Sequence, residues 1–155
     1  KNRRFSYIWI EMKKIRIFMG IVLLLFLPGL LVPSCESNQG EIIPYVKVDD
    51  YLLLYADLAD MGIGTTKLIN GGWRGIALYR ETDLGFYAYD RTCTLFPDHD
   101  RAVVEDSTFF GVFECPDCGS TYLLMNGAEP NSGPARYPLV QYNTSIQGDV
   151  LHIYN

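Results

Sequence analysis

The sequence predicts a small all-β domain, an antiparallel β-sandwich or barrel, behind an N-terminal apolar segment that is not part of it. Three observations carry this. Aromatic residues make up 14% of the chain, with 11 tyrosines, which suits pleated sheets better than helical bundles. Apolar residues recur in short alternating runs separated by Gly, Pro and Asp turns. No long stretch of the domain keeps the 3.6-residue apolar period of an amphipathic helix. A hydrophobic fraction of 48% against 20% charged residues excludes a disordered or collagen-like chain.

Taken in order, Gln39 to Pro44 reads as a tether. Val46 and Val48 face one side, and Tyr51 to Tyr55 is a β-like apolar run. Leu52 to Met61 has room for one helical turn, or two at most. Ile76 and Leu78, then Phe86, Tyr87 and Tyr89, flank the turn Glu81-Thr82-Asp83-Leu84-Gly85 and predict a hairpin. Phe109, Phe110, Val112 and Phe113 predict a further strand, followed by Tyr122 to Met125. Gln147-Gly148-Asp149 is a turn joining Tyr142–Ile146 to Val150–Tyr154. A domain of roughly 115 residues buries one modest core without an extra staple. The chain has no internal repeat and no low-complexity tract.

The N-terminus reads as an address. Met12-Lys13-Lys14-Ile15-Arg16 is a short basic stretch, and Ile17 to Val32 is apolar apart from Gly20, Pro28 and Gly29. That run is short for a permanent span, which needs roughly 20 residues. It ends at Leu31-Val32-Pro33-Ser34-Cys35, which resembles a bacterial lipobox, and Glu36-Ser37-Asn38 resembles the acidic tag of surface lipoproteins of the Bacteroides group. Residues 1–11, before Met12, read as over-extended coding sequence. The implied organisation is 1–34 start and signal peptide, 35–44 lipidated Cys35 and tether, 45–155 β domain. The alternative is an uncleaved anchor helix with an ordinary buried Cys35. Either way the domain belongs in the cell envelope, in the periplasm or on the outer-membrane surface, held at a membrane, in a compartment that permits disulfides.

Charge narrows the partners. Six of the 13 basic residues precede Ile17. Beyond Ser34 there remain 7 basic and 17 acidic residues, a net charge of −10. A domain that acidic is a poor candidate for holding nucleic acid or anionic lipid through a basic patch. A protein or redox partner is left unspecified. Catalysis has little support, since there is no serine in a nucleophile-elbow context and no glycine-rich phosphate-loop motif. Asp98, Asp100, Glu105 and Asp106 lack the ligand register of a calcium loop and read as a solvated charge run. Trp73, Tyr79, Tyr87 and Tyr89 suit a sheet core or edge better than a ligand surface.

Three cysteines remain in the domain. Cys115-Pro116-Asp117-Cys118-Gly119 is a knuckle, with two thiolates three positions apart on a turn, able to point at one ion. The other half would come from Cys93, with His99 six residues later. His99 lies in a polar loop and reads either as a solvated side chain or as a fourth ligand. His152 alternates with Leu151 and Ile153 and is expected to face solvent.

At this point the chain resembles a family. The carriers are Tyr89-Asp90-Arg91-Thr92-Cys93, then Cys115-Pro116-Asp117-Cys118-Gly119-Ser120-Thr121-Tyr122, then Asn126-Gly127. Gly133-Pro134-Ala135, Pro138-Leu139 and Tyr142 follow, with Gly148-Asp149, Leu151 and Ile153 at the end. Together with the strands from Arg74 to Tyr89, this resembles the Rieske iron–sulfur domain over residues 45–155. The resemblance implies two cysteine loops, Cys-x-His and Cys-x-x-His, in which two Cys hold one iron and two His the other. Cys93 and Cys115 stand at the Cys positions; Leu95 and Cys118 stand at the His positions. Leu95 has no lone pair, so the two-His site cannot form. The resemblance also places Ser120 and Tyr122 where hydroxyls hydrogen-bond the cluster region, and Pro134 in the covering loop.

Four readings of the cysteines stay open on the sequence. Cys93, Cys115, Cys118 and His99 bind one structural zinc; the three cysteines with His99 or an Asp hold an atypical [2Fe–2S] cluster in an electron carrier; two of the cysteines form a disulfide joining the loops, Cys93 with Cys115 or Cys118; or all three are small buried hydrophobes.

Overall fold

The computed structural model describes residues 42–96 and 100–155, which fall within the compact unit Asn38–Asn155. The expected signal segment, Cys35, most of the tether, Asp98 and His99 lie outside the described residues. Among the described residues no helix is long and apolar enough to cross a membrane.

The domain is all-β and antiparallel. Its strands are β1 (Asp49–Leu53), β2 (Thr66–Ile69), β3 (Ile76–Arg80), β4 (Phe86–Asp90), β5 (Val104–Glu105), β6 (Val112–Glu114), β7 (Thr121–Leu123), β8 (Glu129–Ser132), β9 (Gln141–Gln147) and β10 (Val150–Tyr154). One sheet has six strands in the order β1-β10-β9-β4-β3-β2, and the other has four in the order β5-β6-β7-β8.

The β3–β4 hairpin forms where expected. Arg80 pairs with Phe86, and the Glu81 N–H donates to the Gly85 carbonyl at 2.8 Å. Strand β3 is buried on both faces, which is why its sequence runs apolar instead of alternating. Ile76 and Leu78 pack with Val48, Phe86, Leu151 and Ile153 on one side. Ala77 and Tyr79 pack with Tyr89, Phe113, Tyr122 and Leu139 on the other. The second layer of core is therefore the one that carries the cysteines. The β9–β10 hairpin pairs Gln147 with Val150 across Gly148-Asp149, again as expected.

Several expectations are corrected. Phe109 and Phe110 are not in a strand but in a turn, 63% and 71% exposed. The Asp106 carboxylate accepts the N–H groups of Thr108 and Phe109, which closes that turn before β6 begins. The run expected from Tyr122 to Met125 leaves the sheet after Leu123 and becomes a 3₁₀ turn, Leu124–Asn126. His152 does not simply face solvent. It is half-buried, stacked between Tyr51 and Tyr154 at 4.3 and 4.6 Å, with Nε2 2.8 Å from Asp49 Oδ1. Tyr79 and Tyr89 are buried sheet residues, whereas Trp73 is exposed. The segment after Leu53 makes one helical turn, with the Asp57 N–H donating to the Leu53 carbonyl at 2.8 Å.

The most buried polar group is the Asp90 carboxylate at the end of β4, with no exposed surface. It accepts four hydrogen bonds. Oδ2 takes the Trp73 N–H at 2.6 Å and the Tyr142 hydroxyl at 2.7 Å; Oδ1 takes the Thr92 N–H at 2.9 Å and its hydroxyl at 2.5 Å. Burial and the adjacent carboxylate both push the Tyr142 phenol well above its ordinary pKa, so it stays a donor. Tyr142→Phe removes one of the four donors. We expect a stability loss of about 1–3 kcal/mol in urea unfolding, with the sheet content unchanged by circular dichroism.

Candidate metal centre

Two loops bring the cysteines together. Cys93 lies just beyond β4, where the Asp90 bonds to Thr92 fix the chain direction and the Val103 N–H returns to the Arg91 carbonyl at 2.8 Å. Cys115 and Cys118 occupy the β6–β7 turn, closed by the Gly119 N–H on the Cys115 carbonyl and the Cys115 N–H on the Ser120 carbonyl, each at 2.8 Å. Arg101 holds this turn from outside, with Nε and Nη2 2.8 and 2.5 Å from Asp117 Oδ1 and Nη2 donating to the Pro116 carbonyl.

The three sulfurs all lie within 4.8 Å of one another, and Cys93 Sγ is 3.6 Å from Cys118 Sγ. Two thiolates at about 2.3 Å from one tetrahedral ion stand ~3.8 Å apart, so the observed separations suit a shared ion. Cys93 and Cys115 are fully buried, Cys118 is partly exposed, and no disulfide joins them. This is the one group of potential metal ligands among the described residues. The Glu105 and Asp106 side chains instead accept backbone N–H groups in the β5–β6 turn.

Hydroxyl groups surround the sulfurs. Ser120 Oγ lies 3.2 Å from Cys118 Sγ and accepts the Ala135 N–H at 3.0 Å. As a thiol Cys118 donates to Ser120 Oγ; as a thiolate it would accept the Ser120 hydroxyl proton instead. The Tyr122 hydroxyl lies 3.5 Å from Cys93 Sγ and accepts the Thr94 N–H at 3.2 Å. The Thr94 hydroxyl is committed to the Tyr137 carbonyl at 2.6 Å, so it can only accept from Tyr122. Burial and the Cys93 neighbour push the Tyr122 phenol above its ordinary pKa, which keeps it a donor. Pro134, expected in the covering loop, is exposed. Its neighbours do the covering: Ala135 through its N–H, and Gly133 by close approach.

The two knuckle thiols differ. Burial pushes Cys115 up to about 12, although the Asp117 and Cys118 N–H groups hydrogen-bond its sulfur and oppose the shift. Burial also works against the Cys118 thiolate, but the Ser120 hydroxyl and N–H outweigh it and hold that thiol below its ordinary value. The backbone and hydroxyl donors thus already favour negative sulfur, as a cation at this point would require.

Leu95 is half-buried and packs against the same core as the cysteines. It supplies no donor, and Cys118 supplies sulfur where the resemblance calls for imidazole. A cluster with two cysteine and two histidine ligands therefore does not fit this chain. Three soft thiolates converging within 4.8 Å suit one thiophilic ion instead. Thr94, Gly133 and Ala135 were not singled out individually on the sequence as site residues. Their contributions are a backbone N–H, a missing Cβ and another backbone N–H, none of which has a side-chain signature.

No known family profile matches the chain, and no curated protein matches it. Among solved structures, it is similar to a chain of the complex of reduced oxygenase and oxidized ferredoxin in carbazole 1,9a-dioxygenase. The identity is 26%, over 67% of this chain and 92% of that one, with a TM-score of 0.47. It is also similar to the ferredoxin of carbazole 1,9a-dioxygenase from Nocardioides aromaticivorans IC177, at 17% identity over 71% of this chain and 98% of that one, with a TM-score of 0.45.

Gly133 tests the covering loop. A Cβ there would sit 2.5 Å from the Ser120 Cα, at a φ of +87° that side chains rarely adopt. Gly133→Ala must displace the loop from Ser120, and we expect a loss of at least ~2 kcal/mol in chemical unfolding together with faster alkylation of Cys118.

Proposed function

We propose that this chain is an exported lipoprotein whose β domain holds one metal ion, zinc first among candidates, on Cys93, Cys115 and Cys118. The observation that carries the reading is the convergence of three sulfurs from two loops within 4.8 Å. Bound zinc would cross-link the β4–β5 loop to the β6–β7 turn, so its binding free energy becomes folding free energy. Cys93 and Cys115 would hold the ion on its buried side and Cys118 on its open side, with His99 or water completing four ligands. Ser120 would steady the Cys118 thiolate by donating to sulfur, while Tyr122 would divide its single proton between Cys93 Sγ and the Thr94 hydroxyl. In this reading the module is structural or binds a partner, and it is not catalytic.

The envelope assignment rests on Met12–Arg16, the apolar segment to Val32 and the lipobox-like ending at Cys35. Lipidation of Cys35 would tether residues 45–155 to a membrane through the short segment 35–44. The net charge of −10 beyond Ser34 argues against nucleic acid as the partner.

A second reading is an electron carrier with an atypical [2Fe–2S] cluster. It is favoured by the Ser120 and Tyr122 hydroxyls at 3.2 and 3.5 Å from sulfur, the two positions the resemblance singles out. A disulfide between Cys93 and Cys118 is the third arrangement, favoured by their 3.6 Å approach.

Metal analysis separates the three. We expect the purified chain to be colourless, with one zinc per chain and no disulfide by mass. About two irons per chain and a visible cluster spectrum would establish the electron carrier, and a metal-free protein with one internal disulfide would overturn both. If zinc is bound, Ser120→Ala should weaken it by about 10–100-fold in competition with a chromophoric chelator. Cys118→Ser should lose the ion on dialysis against the same chelator.

A further inference from the structure

The second site has no connection with the sulfurs. A cavity of about 450 Å³ lies beside the turn between β2 and β3, bordered by Asn70, Gly71, Gly72, Arg74, Gly75 and Arg91. We propose that this cavity binds a phosphate-class oxyanion, either free or as a phosphomonoester headgroup. Two half-buried arginines border one space, and neither forms an ion pair with any carboxylate among the described residues. That is notable in a domain whose net charge beyond Ser34 is −10.

Each guanidinium is held by a carbonyl, which orients it without neutralising it. Arg74 Nη1 donates to the Asp100 carbonyl at 2.8 Å, and Arg91 Nε donates to the Val103 carbonyl at 3.0 Å. Arg74 Nε is covered and has no hydrogen-bond partner, so this guanidinium is under-satisfied as it stands. Burial lowers the Arg91 pKa, with Asp90 partly offsetting it, as expected of a cation short of a counter-ion. The remaining donors come from the backbone. The N–H groups of Gly71, Gly72 and Arg74 make no hydrogen bond within the described residues. Gly71 and Gly72 have φ of +127° and +62°, with Asp50 packed against Gly71 and Asp90 against Gly72.

The turn cannot drift. A Cβ on Gly72 would fall 2.3 Å from Asp90 Oδ2 and 2.7 Å from the Tyr142 hydroxyl, so the glycine is pressed against the buried carboxylate while Trp73 donates to it. Two forked cations and three N–H groups supply donors for three or more oxygens carrying about two charges, which fits phosphate better than a single carboxylate.

The test uses the full-length chain in a neutral detergent, titrated calorimetrically with inorganic phosphate against chloride at matched ionic strength. We expect one saturable site and a rise in Tm. Arg74→Gln should weaken binding by at least tenfold while leaving metal content and the phosphate-free Tm unchanged. Should that variant fail to fold, Arg74→Lys keeps the charge and loses the fork, and binding should fall to an intermediate value. A parallel arm uses phosphatidylcholine vesicles with and without phosphatidic acid. Binding that requires phosphatidic acid, without binding of free phosphate, and that is lost in Arg74→Gln, identifies the headgroup as the source. If neither phosphate nor phosphatidic acid distinguishes the native chain from the arginine variants, the proposal is overturned.

Discussion

One buried carboxylate organises this domain. Asp90 ends the strand that leads into the first cysteine loop, and its four donors come from three separate parts of the chain: the glycine turn before β3, Thr92 beside Cys93, and Tyr142 on β9. A charged oxygen pair with no solvent contact is tolerable only when its lone pairs are filled, so the carboxylate forces these segments to meet. The arrangement sets the direction of the chain entering the first cysteine loop. It also fixes the turn that borders the arginine cavity. Both candidate sites thus rest on a group that takes part in neither.

The sulfur site follows from the same economy of partners. The β6–β7 turn aims two thiols inward through its backbone bonds and the Arg101 clamp on Asp117, and Cys93 meets them because β4 delivers it there. Ser120 and Tyr122 then place hydroxyls against sulfur, at 3.2 and 3.5 Å from Cys118 and Cys93. Leu95, packed against the core that holds Cys93 and Cys115, supplies an apolar side chain where a donor would be needed for two irons. The result is a pocket poor in imidazole and rich in thiolate, which changes the ion that fits without changing the loops that frame it.

Legibility varied with how local the physics was. The β3–β4 and β9–β10 hairpins were readable because turn residues and alternating apolar positions lie within a few residues of one another. The edge strands β2, β5 and β8 were not, since Thr66–Ile69, Val104–Glu105 and Glu129–Ser132 are short and partly polar, and Pro130 is acceptable only because β8 lies at an edge. Phe109 and Phe110 misled because bulky aromatics are strand formers, yet Asp106 captures two N–H groups and bends the chain first.

By itself the sequence determined the fold class, the two main hairpins, the candidate ligands Cys93, Cys115 and Cys118, and the exclusion of a two-histidine cluster, because Leu95 carries no donor atom. Each is a property of residue type and near-neighbour spacing. Only the tertiary structure decided that the three sulfurs share one space and that Ala135 and Thr94 orient the hydroxyls around them. It alone decided that Asp90 ties the loops to the sheet and that Arg74 and Arg91 border one cavity, neither in an ion pair among the described residues. Those are facts about which polar groups find partners, and partners separated by up to 52 residues, as Asp90 and Tyr142 are, meet only once the chain has closed around its core.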